Sequence, residues 1–161
     1  VKLEADARFA PVFERLSRAG IPAIAHVGCL PQQVQLHGGY VVAGRTAASA
    51  KNVVEDAKKL VEAGAIGVLA EATTAETAEA LVNAVDVPVI GCGAGPACHG
   101  QIVVTQDILG LTDWQPSFAG SEGQIGNSIQ AVVEQWCEKV RRREMEHPYA
   151  MKDGEAEQLE D

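Results

Sequence analysis

Short apolar runs alternate with helical patterns along most of the chain. Residues 1–4, 21–27, 66–70 and 87–92 read as strands, and residues 116–119 as a short fifth. The middle three runs are almost continuously apolar. Strands of that kind are buried on both faces, as parallel sheets require. Helical spacing fills the gaps. Phe9, Phe13 and Leu16 share one face over residues 9–19, and Gly20 marks a stop. Val53, Val54, Ala57, Leu60 and Val61 share another over residues 49–63, closed by Gly64. Thr73 with Glu76 fits a capping box opening a helix through Leu81 and Val82. Residues 102–110 predict a short helix. Residues 127–143 predict the last, with Ile129, Val132, Val133, Trp136 and Val140 at core spacing. Residues 28–45 and 91–100 are glycine-rich loops.

This order predicts an α/β protein with a parallel sheet. An open doubly wound sheet and part of a (β/α)8 barrel both fit. A complete barrel needs eight strands and usually about 250 residues. At 161 residues, length by itself favours the open sheet.

Charge narrows the function. The net charge is −9, yet residues 144–161 hold seven of the 22 acids and one of the 13 bases. The body at 1–143 is near neutral, and 144–161 is an acidic tail expected to be disordered. That balance argues against nucleic acid, which favours a basic face. No apolar stretch is long enough to cross a membrane, and no signal peptide opens the chain. Cys29, Cys92, Cys98 and Cys137 read as free thiols of a reducing cytoplasm. Cys92, Cys98 and His99 match no zinc spacing well.

Polar groups sit where strands end: Lys2 and Glu4 on the first, His26 on the second, Glu71 on the third. In a barrel these ends converge on one active site. In an open sheet they spread along an edge. Lys2 and Glu4 are two apart, so both side chains take one face of a strand. There they are paired or ligand-bound, or they lie in water at a frayed end. Glu71 is either a first-turn acid at a helix or a general base in apolar surroundings. His26 is either a hydrogen-bonded core group or a site residue.

Taken in order, Val1-Lys2-Leu3-Glu4, Gly20-Ile21-Pro22, His26-Val27-Gly28 and Pro31-Gln32 form the first part of a longer pattern. Gly38-Gly39-Tyr40-x-Val42-x-Gly44-Arg45, Leu69-x-Glu71 and Pro88-Val89-Ile90-Gly91-x-Gly93-Ala94-Gly95 continue it. Gly100-Gln101-Ile102 and Asp107-Ile108-Leu109-Gly110 close it. Over residues 1 to about 143 the chain resembles ketopantoate hydroxymethyltransferase. The resemblance implies a (β/α)8 TIM barrel of the phosphoenolpyruvate-mutase and isocitrate-lyase type. Residues 1–143 would supply about strands four to eight, which fits a chain opening on Val1 rather than Met.

The implied reaction moves a hydroxymethyl group from 5,10-methylenetetrahydrofolate to 3-methyl-2-oxobutanoate, giving 2-dehydropantoate for pantothenate and coenzyme A. A magnesium ion binds the 2-oxo acid. By resemblance Glu71 is the proton acceptor, Lys2 and His26 contact substrate, and Glu4 lies at the magnesium site. The partners implied are the oxo acid and folate, in a cytoplasmic homo-oligomer. With the first strands absent, the isolated chain is expected to be inactive. The sequence departs from the family pattern at Ala5 and Asp6, at Ala72-Thr73-Thr74 and at His99. These changes leave two alternatives: a related barrel enzyme acting on another 2-oxo acid by lyase chemistry, or a non-catalytic barrel fragment serving as an interaction module.

Overall fold

The computed structural model describes residues 1–153, 155 and 156. Five parallel strands form one sheet: β1 (Lys2–Glu4), β2 (Ala23–Gly28), β3 (Ala65–Glu71), β4 (Val89–Cys92) and β5 (Gly100–Gln101). They lie side by side in chain order. A doubly wound sheet reverses its order at a switch point. Five strands in unbroken chain order are singly wound, as a barrel requires. The sheet is therefore part of a (β/α)8 barrel rather than an open doubly wound sheet.

The main helices are α1 (Ala10–Arg18), α3 (Ala47–Glu62), α4 (Ala75–Ala84) and α6 (Ile125–Arg142). Two single-turn helices, α2 (Val34–His37) and α5 (Thr105–Ile108), lie within loops. Helix α3 packs on β2 and β3 and touches both α1 and α4. Neighbouring helices form one layer, so all three cover the same face of the sheet. Phe13, Leu60 and Leu81 are fully buried there against Val68 and Val89. Alternation along the strands puts Leu3, Ala25, Val27, Val68, Ala70 and Val89 on this side.

The opposite face carries the other parity. Register aligns Glu4, His26, Leu69 and Ile90 in one row. One row further toward the strand ends come Gly28, Glu71 and Cys92. None of α1, α3 and α4 covers this face, and Ile24 on it is 36% exposed.

Several boundaries differ from expectation. The fifth strand is Gly100–Gln101, inside the predicted glycine loop, and residues 116–119 form a turn. Backbone pairing alone recruits Gly100 and Gln101: Ile102 N–H donates to the Gly91 carbonyl and His99 N–H to the Val89 carbonyl. The helix predicted at 102–110 shortens to α5. Thr74, not Thr73, caps α4, its hydroxyl accepting from Thr77 N–H at 3.3 Å. Thr73 is spent on a bridge to Ala43. Trp136, expected in the core, is 56% exposed, because no residue of α6 is buried among the described residues. The tail expected at 144–161 falls partly on residues 154 and 157–161, which lie outside the described residues.

Leu60→Ala removes a fully buried side chain from the helix-side core and is expected to lower stability by about 2–5 kcal/mol. Urea unfolding of the full-length protein measures this directly.

Candidate active site

Strand ends bring three predicted residues into line. The Lys2 ammonium donates to His26 Nδ1 at 2.9 Å. An ammonium has no acceptor, so Nδ1 accepts and the ring proton sits on Nε2. That Nε2 lies 3.1 Å from Glu71 Oε2, although the angle does not complete a hydrogen bond. His26 is 1% exposed, and its Nε2 has no other partner. A buried, unsatisfied N–H beside a carboxylate is a costly arrangement in a structural core. Here it sets the imidazole edge 3.1 Å from Glu71 without tying that carboxylate up.

Glu4 takes a separate position. Its Oε2 accepts from the Gln32 backbone N–H at 2.9 Å, and Oε1 has no hydrogen bond among the described residues. Thus the structure joins Lys2, His26 and Glu71, and it anchors Glu4 to the loop after β2. No cluster of three or more His, Cys, Asp or Glu side chains poised for a metal occurs among the described residues. That includes Cys92, Cys98 and His99, and His99 Nδ1 accepts from Val89 N–H at 3.0 Å instead. Magnesium is commonly held through one or two protein carboxylates plus substrate oxygens and water. Glu4 fits as one such ligand, and the described residues supply no full set.

The backbone around Glu71 is closely held. Its carbonyl accepts from Cys29 N–H at 2.8 Å, and Ala72 N–H donates to the Cys92 carbonyl at 2.9 Å. Ala72 then turns the chain at φ 44, a left-handed conformation that costs a non-glycine residue about 1 kcal/mol or more. Gly28 sits beside it at φ 95. A Cβ there would collide with the Glu71 carbonyl and stand 2.8 Å from Thr73 Cγ2. Glycine at position 28 thus lets the second and third strand ends approach.

Glu71 opens into a mainly apolar cavity of about 480 Å³. Tyr40, Val41, Trp114 and Phe118 form much of its wall, and Asp107 lines it too. Sequence reading passed over Trp114 and Phe118. Tyr40 and Asp107 stood in family motifs without a role, and nothing in the spacing places Trp114 against Tyr40.

Two thiols flank the carboxylate. Burial pushes the Cys92 thiol up, the Glu71 and Asp107 carboxylates push it further, and Lys2 opposes them. Burial also raises Cys29, against a lowering backbone hydrogen bond with Val41, and Glu71 and Glu4 add to the rise. Both remain neutral thiols at pH 7, which disfavours nucleophilic cysteine chemistry.

A family model described as ketopantoate hydroxymethyltransferase matches residues 1–148. The 3-methyl-2-oxobutanoate hydroxymethyltransferase of Pyrobaculum neutrophilum is 41% identical over 142 residues, covering 88% of this chain and 54% of that protein. Its counterpart from Pyrobaculum islandicum is 42% identical over 142 residues, with the same coverage. That of Syntrophobacter fumaroxidans is 38% identical over 163 residues, covering 99% of this chain and 58% of the relative. The chain spans about half the length of the curated relatives it matches.

Two outcomes follow from the geometry. Gly28→Ala displaces Glu71 and is expected to cost about 2–4 kcal/mol of stability, measured by urea unfolding. Raised thiol values favour the folded state below the ordinary thiol range. That contribution is lost as pH climbs through the raised folded values. Alkylation of Cys92, followed against pH by mass spectrometry, is expected to start at lower pH in Glu71→Gln than in the unaltered protein.

Proposed function

The chain belongs to the ketopantoate hydroxymethyltransferase family, and we propose from that premise what the protein containing it does. It transfers a hydroxymethyl group from 5,10-methylenetetrahydrofolate to 3-methyl-2-oxobutanoate, giving 2-dehydropantoate for pantothenate synthesis. The observation that carries this reading is the Lys2–His26–Glu71 line at the strand ends, opening on an apolar cavity. Residues 1–143 act as the second part of one barrel, and the remaining strands come from elsewhere in the protein. The reading includes a homo-oligomer in the cytoplasm. No described helix is long and apolar enough to cross a membrane.

The C3 hydrogen of the oxo acid lies next to a ketone and is weakly acidic. Glu71 is the base that removes it; C3 then bonds to the donor's methylene carbon, the bonds from that carbon to the two folate nitrogens break as those nitrogens take up protons, and water supplies the product's hydroxyl. His26 positions that base: its Nε2 lies 3.1 Å from the Glu71 carboxylate, and Lys2 fixes the tautomer. Lys2 also places a positive charge where the substrate carboxylate binds. Glu4 contributes one oxygen toward a magnesium ion. The chemistry magnesium supplies when bound is polarisation of the oxo acid's ketone.

The test is C3 hydrogen–deuterium exchange of 3-methyl-2-oxobutanoate, followed by NMR on the full-length protein. Exchange is expected with magnesium, and Glu71→Gln is expected to slow it by about 10²–10⁴-fold. Equal exchange in the variant would remove Glu71 as the base. Exchange of a different 2-oxo acid, and not this one, would move the substrate.

A further inference from the structure

The cavity over Glu71 holds groups that neither the base nor the oxo acid uses. Asp107 is 9% exposed and lines it. Its carboxylate has one side-chain hydrogen bond among the described residues, a long one from Thr112 Oγ1 at 3.5 Å. An ionised carboxylate offers about four acceptor positions, and most of those on Asp107 have no protein partner among the described residues. Asp107 therefore presents spare acceptors to a mainly apolar space. On the same cavity, the rings of Tyr40 and Trp114 stack at 6.3 Å between centroids, with 26° between planes. Each residue is 66% exposed, so much of the ring surface stays open.

Accepting groups beside open aromatic faces select a flat ring with adjacent N–H donors. Two carboxylates, Glu71 and Asp107, repel an anion from the same space. Both line the one cavity. Of the two proposed substrates, only the one-carbon donor has such a ring. Its pterin carries a 2-amino group next to a ring N–H, a pair that one carboxylate accepts with both oxygens. Its face suits aromatic stacking.

We propose that this part of the cavity seats the pterin ring of the one-carbon donor, with Asp107 accepting from its 2-amino edge and Tyr40 and Trp114 against its face. The inference rests on the hydroxymethyltransferase reading above. It puts the one-carbon unit in the same cavity as Glu71, where C3 of the oxo acid loses its proton. The anionic glutamate tail of the donor leaves toward solvent.

The probe is tetrahydrofolate, which lacks the one-carbon unit and cannot react. Its affinity for the full-length protein is measured by calorimetry against an analogue lacking the 2-amino group. The unaltered protein is expected to prefer tetrahydrofolate by at least about tenfold. Asp107→Asn is expected to weaken tetrahydrofolate about tenfold and to erase that preference. Trp114→Ala is expected to weaken both ligands alike and keep the preference. Loss of the preference is a signature that general structural damage would not produce.

Tetrahydrofolate binding within about twofold of normal in Asp107→Asn, or weakened with its preference intact, would overturn the proposal. Should Asp107→Asn fail to fold, the exposed Trp114→Ala decides, and unweakened binding there overturns it equally. C3 exchange by the unaltered protein without any folate tests the parent reading separately. Exchange with no effect of either variant on tetrahydrofolate removes the pterin seat and leaves the reaction. Absence of exchange removes both.

Discussion

Lys2 reaches His26, and His26 lies against Glu71; this contact crosses three strands and exists only because those strands are parallel and in fixed register. A one-residue slip in any of them would turn its polar group to the helix side, among Phe13, Leu60 and Val68. The apolar packing of that side therefore holds the polar line on the other. Stability and site chemistry are two consequences of one register.

The two faces of the sheet differ accordingly. Toward the helices, small residues such as Ala25, Ala57 and Ala70 let α3 pack closely. Toward the other side lie Lys2, Glu4, His26 and Glu71, together with a half-exposed Ile24. Parallel sheets are normally covered on both faces. A face that mixes apolar side chains with converging polar strand ends is what the interior of a barrel looks like when its remaining strands are not included. The exposed stripe of α6, from Ile129 to Val140, has the same character.

Much of this was legible in the sequence. The apolar runs marked β2 to β4 because each carries enough β-branched and alanine residues to need burial, whereas β1 was marked only by Leu3 between Lys2 and Glu4. Strand β5 was not legible, since Gly100 and Gln101 have no apolar signal and pair only through the backbone. The α4 cap moved by one residue because Ala72 adopts a left-handed turn that no alanine announces. Lys2, Glu4, His26 and Glu71 were found from their positions at strand ends. Lys2 sits 24 residues from His26, and only the fold brings the two into contact. Trp114 escaped notice, and Asp107 stood in a motif without a role, for the same reason: both come to line one cavity with Glu71 only in the folded chain.

The central claim is that Glu71 faces the reacting carbon from the end of its strand. The most direct measurement is a crystal structure of the full-length protein with 3-methyl-2-oxobutanoate and magnesium. C3 is expected within about 3–3.5 Å of a Glu71 oxygen, with His26 between Lys2 and Glu71 and with Glu4 on the metal side. An oxo acid bound with C3 turned away from Glu71, or bound outside the ring of strand ends, would contradict it.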